Sequence, residues 1–317
     1  MHAELLGLKT IEEVLSILPV EKVEQAAYKK IDVDIMGDLH YKGLPFDDLA
    51  LETCCKAFKV PYDFFLRCDE ALKKSIIERF FKTDDDLNFV ISNDKVKYVT
   101  VSEFFPIRDL FAQFAKTLKF NPSDKVQNLR NNDPYIFNFV TGENKSIARN
   151  KNDITHMGVS CVVDNTFNGN QVDIGPFLFR LVCTNGMIAT ESDLRAVCSK
   201  QGAKFLDGID ERLNAAMNKS RVLLNHFIET DKDKVKDPAF IIHSICKDGK
   251  VNSRLRSNLL SKVPALGNEP TVYEVINLVT SYANSLIDID ELRGLDRAAG
   301  DWIKELANRC PTCKHVL

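Results

Sequence analysis

Two hydrophobic periodicities divide the chain. Runs of apolar and β-branched residues typical of strands cover 135–140, 158–166 and 171–183, and Asn-Gly turn signals follow at 168–169 and 185–186. After Thr190 the apolar residues keep helical spacing. We therefore predict an α+β fold: a central antiparallel β-meander with flanking helices and a helical C-terminal third. The predicted regions are an N-terminal α+β region over 1–120, the β-meander core over 121–190 and the helical region over 191–317.

Capping and turn signals in the sequence predict where the shorter helices and strands begin and end. Thr10 and Glu13 form a capping box that predicts a helix over 11–18, and the helical pattern resumes after Pro19 to about Lys30. Asn93-Asp94 predicts a hairpin, whereas the Asn-rich stretch 121–133 is predicted to be a long loop. Further helices are predicted over 104–118, from Asp237-Pro238 to near Gly249, from a capping box at Thr271–Glu274, and over 288–308.

Residues 46–82 predict short helices around a turn at Val60-Pro61. One interpretation is a helix-turn-helix DNA reader. The favoured alternative is two packed helices, because proline and aromatic residues crowd the turn and the second helix has few side chains that read bases.

Composition bounds the class of protein. The chain has 317 residues, of which 44% are hydrophobic and 27% charged, so it can bury a sizeable core. No apolar run approaches the roughly 18–20 residues that cross a bilayer, and the N-terminus has no basic leader. The nine cysteines are an odd number without a disulfide framework, which indicates reduced thiols. We expect a cytoplasmic protein with no membrane partner.

The formal net charge of −3 argues against a dedicated duplex-DNA binder, since such proteins are usually basic. Any surface that binds nucleic acid must therefore be a local patch. The sequence also lacks a phosphate-binding P-loop, a G-x-S-x-G elbow, an H-E-x-x-H motif and a G-x-G-x-x-G motif. A conventional hydrolase, NTPase or dehydrogenase is disfavoured.

Two groups of residues have the chemistry of metal ligands. Cys310, Cys313 and His315 have zinc-ligand spacing, and a fourth ligand would come from Cys54, Cys55 or Cys68, or from another subunit. The alternatives are two free thiols, which we favour, and a redox pair. Hence no cofactor is expected, with zinc as the alternative.

Asp32, Asp34 and Asp38 are the second group. Aspartate carboxylates bind the metal in magnesium-dependent nucleases. Here, however, Asp32 and Asp34 lie on the polar side of an alternating strand. Solvated acids are the favoured interpretation there.

Two basic stretches are candidates for contacts to nucleic acid. Lys145, Arg149 and Lys151 follow an aromatic strand, and Lys250, Arg254 and Arg256 lie in a segment, 247–262, with a single acidic residue. Basic groups among aromatics and asparagines suit single-stranded nucleic acid. A solvated helix face is the alternative for the second stretch, and the one we favour there.

Arg180 interrupts a strand that is otherwise apolar on both faces. A buried guanidinium needs partners for its five donors. A salt bridge to Asp164 or Asp173 across the hairpin is the favoured interpretation, and a phosphate site is the alternative.

The middle of the chain resembles a known family. Met157 to Thr166, and then Val172 to Met187 with Phe179-Arg180-Leu181-Val182-Cys183-Thr184-Asn185-Gly186, is similar to the recurring core of the phage- and plasmid-borne proteins grouped as domain of unknown function 932. Weaker similarity covers Ala50 to Leu66 and Thr271 to Gly300. The family has no agreed activity, so the resemblance implies a mobile-element setting and no particular chemistry.

These observations lead to one leading hypothesis and two others. We expect a non-enzymatic phage or plasmid protein, a homo-oligomer in the bacterial cytoplasm, that binds single-stranded nucleic acid during annealing, recombination or replication. The alternative is a counter-defence factor that binds a host protein and has no nucleic-acid activity. A nuclease that uses Asp32, Asp34 and Asp38 ranks last.

Overall fold

The computed structural model describes residues 8–25, 30–81, 88–100, 106–130, 134–164, 171–180, 185–188, 196–197, 208–286 and 288–308. The helices are α1 (Ile11–Ile17), α2 (Asp48–Phe58), α3 (Tyr62–Arg67), α4 (Glu70–Phe81), α5 (Ile107–Thr117), α6 (Ile209–Glu229), α7 (Pro238–Asp248), α8 (Ser253–Leu260), α9 (Val272–Ala283) and α10 (Ile289–Asn308). The strands are β1 (Leu8–Thr10), β2 (Lys22–Gln25), β3 (Ile31–Val33), β4 (Leu39–Tyr41), β5 (Leu44–Pro45), β6 (Asn88–Ser92), β7 (Lys95–Thr100), β8 (Lys125–Arg130), β9 (Tyr135–Ile147), β10 (Asn150–Asp164), β11 (Gln171–Arg180), β12 (Asn185–Ile188) and β13 (Ala196–Val197).

The central sheet is an antiparallel meander. Its order is β1-β8-β9-β10-β11-β12, and β13 pairs with β11. Helices α6 to α10 occupy the C-terminal part. The predicted α+β class is therefore confirmed. Within the described ranges, no helix combines the length and apolarity that crossing a bilayer requires.

The N-terminal region contains a separate hydrophobic core. Two small antiparallel sheets, β3-β4-β5 and β2-β6-β7, enclose it together with α2, α3 and α4, and Phe89 packs edge-on against Tyr41 at its centre. The predicted hairpin is present between β6 and β7, where Asn93 and Asp94 both have positive φ angles, 51° and 56°. A two-residue hairpin turn of this type requires that conformation. The helices at 46–82 pack into this core through Cys54, Phe65 and Ile77.

Four predictions about local structure are wrong. Asn185-Gly186, predicted as a turn, lies in strand β12, and strand β13 lies within the region 191–317 that was predicted to be helical. The helix expected to resume toward Lys30 is replaced by β2, which pairs with β6. The loop expected over 121–133 contains β8, a strand of the central sheet. Its polar residues suggested a loop, but Asn138 Nδ2 donates to Gln127 Oε1 at 2.9 Å, so buried amides in β8 and β9 bond to each other. A side-chain hydrogen bond of this kind lets polar residues lie inside a sheet.

Helices α5 and α6 pack against one face of the central sheet. On one face, Phe111 of α5 packs against Phe137 and Phe139 of β9. Neighbouring residues of a strand point to opposite faces, so Ser160 lies on the other face, where Arg293 of α10 donates to its hydroxyl at 3.4 Å. Helices α5 and α6 thus cover one face of the sheet, and α10, which packs against α6, α9 and β12, reaches Ser160 through the Arg293 side chain.

Gly158 lies where β9, β10 and α6 approach one another closely. The Ser220 hydroxyl donates to Gly158 O at 2.5 Å and accepts from Phe177 N at 3.2 Å. A Cβ at Gly158 would lie 2.1 Å from the Phe139 carbonyl oxygen. The backbone at this position therefore excludes every residue except glycine.

Gly158→Ala is expected to lower the free energy of unfolding by at least about 2 kcal/mol, because β9 must move to admit the methyl group. Gly142→Ala is the matched control, since a Cβ there meets no atom within 4 Å. Urea denaturation followed by circular dichroism measures both. Equal midpoints for the two variants would contradict the close approach at Gly158.

Asp296 gives a prediction of pH dependence. Burial raises the pKa of this carboxyl well above its usual range, although the charge of Arg293 opposes the shift. Because the pKa is higher in the folded chain than in the unfolded chain, the folded chain binds this proton more tightly, and the group lowers stability as pH rises through its unfolded pKa. Asp296→Asn should therefore raise the free energy of unfolding at pH 7 and change it little at pH 3. Urea denaturation at both pH values measures this, and a loss of stability at pH 7 would show that Asp296 is ionised in the fold.

Candidate functional site

Arg180 lies at the end of β11 in an ion pair inside the fold. Its Nε donates to Asp153 Oδ1 at 2.5 Å and a terminal nitrogen donates to the other carboxylate oxygen. The Asp153 side chain is 4% exposed and that of Arg180 13%. The guanidinium also lies over the ring of Tyr273 in α9, 5.6 Å from its centroid. Arg180 thus joins the sheet to α9, and its expected pairing with a carboxylate is confirmed.

The expected partners of Arg180 are wrong. In the hairpin Arg180 pairs with Thr155, whereas Asp173 pairs with Val162 and Asp164 lies further still. At about 3.3 Å per residue, both carboxylates are about 20 Å or more from Arg180. The actual partner, Asp153, is two residues from Thr155 on the neighbouring strand, and this position cannot be known before the register is known.

Arg149 is at the tip of the β9–β10 hairpin and docks it on the start of α9. Its terminal nitrogens lie 2.7 Å from Asp231 Oδ1 and 3.0 Å from Glu274 Oε1. Lys145 and Lys151 of the same hairpin are exposed. The predicted trio thus divides into one arginine that holds the hairpin in place and two lysines that face solvent.

The charge of Arg149 helps to lower the pKa of Glu274. Partial burial alone would raise the pKa of this carboxyl, but the Thr271 backbone amide and Arg149 stabilise its charged form and lower the pKa. Thr271 and Glu274 also form the predicted capping box of α9. Glu274 is therefore a charged anchor for the hairpin tip.

The second basic stretch forms α8 and its flanks. Residues 249–268 contain no acidic side chain, and Lys250, Arg254, Arg256 and Lys262 lie among them. Arg254 forms an exposed ion pair with Glu291 Oε1 at 3.1 Å, and its side chain is 72% exposed. Two positions along a helix differ by about 200°, so Arg254 and Arg256 project from opposite flanks of α8. The basic stretch is not a single patch.

An aromatic side chain that the sequence did not single out lies beside α8. Tyr282 of α9 is half-buried, its hydroxyl accepts from Asn258 Nδ2 at 3.1 Å, and Lys262 Nζ lies 5.6 Å from its ring centroid. Lys262 and Asn258 come from the acid-free segment. Only the packing of α8 on α9 reveals this group of an aromatic ring, an amide and a cation.

The two basic stretches meet the same stripe of α9, which we call the α9 stripe and define by Glu274, Leu278 and Tyr282. These residues are four positions apart and partly exposed, whereas most of α9 is buried. At 1.5 Å per residue the stripe is about 12 Å long. The hairpin tip adjoins its first end through Arg149, and Lys262 adjoins its second. Residues more than 100 positions apart in sequence are thereby brought to one surface.

The candidate metal ligands have other roles or lie outside the described residues. Asp34 Oδ1 accepts the backbone amides of Met36 and Asp38, each at 2.9 Å, and so closes a turn. Within the described ranges, no cluster of three or more acidic, histidine or cysteine side chains is arranged to hold a metal. Cys310, Cys313 and His315 lie outside those ranges.

The cysteines considered as further ligands lie in the N-terminal core. Cys54 and Cys55 are buried and Cys68 is half-buried. Burial raises the pKa of the Cys55 thiol to about 11 and also that of Cys54. Both thiols are therefore protonated in the folded chain.

No family model, curated protein or solved structure matches this chain. Of the motif that carries the family resemblance, Phe179, Arg180 and Asn185 to Met187 are described, and residues 181–184 lie outside the described ranges. The resemblance stays a prediction.

Asp153→Ala is expected to lower the free energy of unfolding by about 3–5 kcal/mol, because it leaves a buried guanidinium without its carboxylate. Glu143→Ala is the matched control: it breaks the exposed pair with Arg221, whose Nε lies 3.0 Å from the carboxylate, and should cost about 0–1 kcal/mol. Urea denaturation at pH 7 compares the two. A loss from Asp153→Ala no larger than that of the control would show that Arg180 does not depend on this pair.

Proposed function

We propose that this protein binds single-stranded nucleic acid along the α9 stripe and acts without catalysis in annealing, recombination or replication. One observation carries the proposal: two basic segments distant in sequence adjoin the two ends of the α9 stripe. In this arrangement Lys145 and Lys151 contact phosphates at one end and Lys262 contacts a phosphate at the other.

The groups at the second end suit a nucleotide. A base stacks on an aromatic face with little regard to sequence, and a lysine beside the ring meets the adjoining phosphate. Tyr282, Lys262 and Asn258 supply the ring, the cation and an amide. Arg254 is available as well, because an exposed ion pair such as that with Glu291 is worth only about 0–1 kcal/mol and a phosphate can replace the carboxylate.

Arg180 and Arg149 have a different role in this proposal. Both are engaged by carboxylates of the fold, and they position α9 and the hairpin tip. The proposed contacts are therefore the exposed cations.

The biological setting that we propose rests on the family resemblance. We propose a phage or plasmid protein in the cytoplasm of a bacterial host that assembles as a homo-oligomer, because an annealing protein gains affinity when several copies hold one strand.

A second candidate function rests on the N-terminal region. Ile35 and Met36, in the turn between β3 and β4, are 94% and 81% exposed, and Phe64 of α3 is 51% exposed. Ile35 and Met36 adjoin one another in the chain, and adjoining apolar side chains exposed to this degree favour a protein partner. The second proposal is therefore a host-protein binder that acts through this end of the molecule.

The first proposal predicts which substitutions weaken binding to a labelled oligothymidylate in a fluorescence-anisotropy titration. Tyr282→Leu should raise Kd about tenfold, because stacking on one ring is worth about 1–3 kcal/mol. Lys262→Gln should raise Kd and reduce the salt slope by about one. Arg256→Gln is the matched control, since it removes one positive charge from the flank of α8 opposite Asn258, the residue that bonds to Tyr282.

Equal losses for Lys262→Gln and Arg256→Gln, or binding that salt leaves unchanged, would overturn the placement on the α9 stripe. Absence of binding at micromolar protein would overturn the first proposal altogether. The second proposal predicts instead that immobilised protein retains a host protein, and that Met36→Lys with Phe64→Lys abolishes the retention. Retention unaffected by those two changes would overturn it.

A further inference from the structure

A cleft of about 480 Å³ opens beside the end of α5 and is lined by residues of β1, β9, β10 and β11. It shares no residue with the α9 stripe and is independent of the proposed function. Ligand sites of proteins occupy roughly 300–1,000 Å³, so the cleft has room for a small organic molecule.

A large β-bulge forms one wall of the cleft. Val140 pairs with Gly158, and Asn144 with His156, so three residues of β9 lie opposite Met157 alone. Thr141, in the bulge, donates from its hydroxyl to Met157 O at 2.8 Å. Bulges of this kind redirect side chains and are frequent beside functional sites.

The same threonine orients a histidine in that wall. His156 Nδ1 lies 3.0 Å from Thr141 O. A carbonyl oxygen only accepts, so Nδ1 carries the proton and Nε2 is the ring atom that remains for a ligand. His156 is half-buried and lines the cleft. The bulge thus positions one titratable group in a fixed orientation.

The rest of the cleft combines an apolar floor with a basic rim. Leu8, Val140 and Phe179 belong to one hydrophobic cluster and line it. Lys119 and Lys125 lie at the rim and are exposed.

Among the described residues that line the cleft, one has a carboxylate, Asp124. Its Oδ2 accepts from the Asn121 backbone amide at 2.6 Å and from Asn121 Nδ2 at 3.1 Å. This carboxylate is therefore engaged in its own turn, and the two lysines leave the rim with an excess of positive charge.

We infer that this cleft binds a small organic anion. The apolar part of the ligand packs on Val140 and Phe179, and its carboxylate or phosphate group meets Lys119, Lys125 and His156 Nε2. Neither an uncharged apolar molecule nor an inorganic anion uses both surfaces.

Two fluorescent probes of similar shape test the inference on the full chain. 8-Anilinonaphthalene-1-sulfonate has an apolar body and an anionic group, and N-phenyl-1-naphthylamine has a similar body without charge. The sulfonate probe is expected to saturate at one site per chain. Displacement by octanoate, and separately by phenyl phosphate, distinguishes a carboxylate ligand from a phosphate ligand, and displacement by neither would overturn the inference.

Substitutions of the rim lysines test whether the sulfonate probe binds in the cleft. Lys119→Gln with Lys125→Gln should raise Kd for the sulfonate probe at least fivefold and leave Kd for the uncharged probe unchanged. Lys116→Gln with Lys95→Gln is the matched control, because it removes two exposed lysines that do not line the cleft. Circular dichroism confirms that both variants are folded. An unchanged Kd for the sulfonate probe in the first variant, or an equal change in the control, would overturn the inference.

Discussion

The buried pair of Arg180 and Asp153 fixes the part of the molecule on which the proposed surface depends. A guanidinium at this depth is tolerated only with a carboxylate beside it, and Asp153 provides it from the neighbouring strand. Because Arg180 also lies over Tyr273, the same pair sets the position of α9 against the sheet. Arg149, at the tip of the adjoining hairpin, ties the start of α9 a second time. The α9 stripe therefore faces solvent because its helix is held from the sheet side.

A second constraint is that the long β9–β10–β11 meander must be covered by helices. Helices α5 and α6 provide an aromatic and aliphatic cover on one face, whereas α10 buries two residues of charged type, Arg293 and Asp296. Burial lowers the pKa of Arg293 to about 10 and raises that of Asp296. Polar groups in such a layer are costly unless they are paired, so α10 stabilises the sheet less through its polar flank than through Leu295, Trp302 and the other apolar residues of the C-terminal core.

Local signals in the sequence were sufficient to predict several secondary-structure elements. The candidate sites, in contrast, depend on contacts between residues that are far apart in the sequence. The capping boxes at Thr10 and Thr271 and the Asn93-Asp94 turn operate within four residues of the chain, so the sequence is sufficient to predict them. Strand β8 was missed because its amides bond to a strand that is not yet known from sequence. The partner of Arg180 was missed for the same reason, since it depends on register. The α9 stripe and the bulge at Thr141 need the tertiary structure itself.

The two arginines of α8 show why a basic stretch in a sequence is not a basic surface. Arg254 and Arg256 contribute equally to the charge of the segment, yet helical rotation sends one toward Glu291 and the other to the opposite flank. A chain with a net charge of −3 attracts a polyanion only where carboxylates are locally absent. The segment 249–268 meets that condition, and its contact with Tyr282 adds the aromatic ring. A surface built from so few cations neutralises few phosphates, so its affinity must depend on stacking as much as on charge.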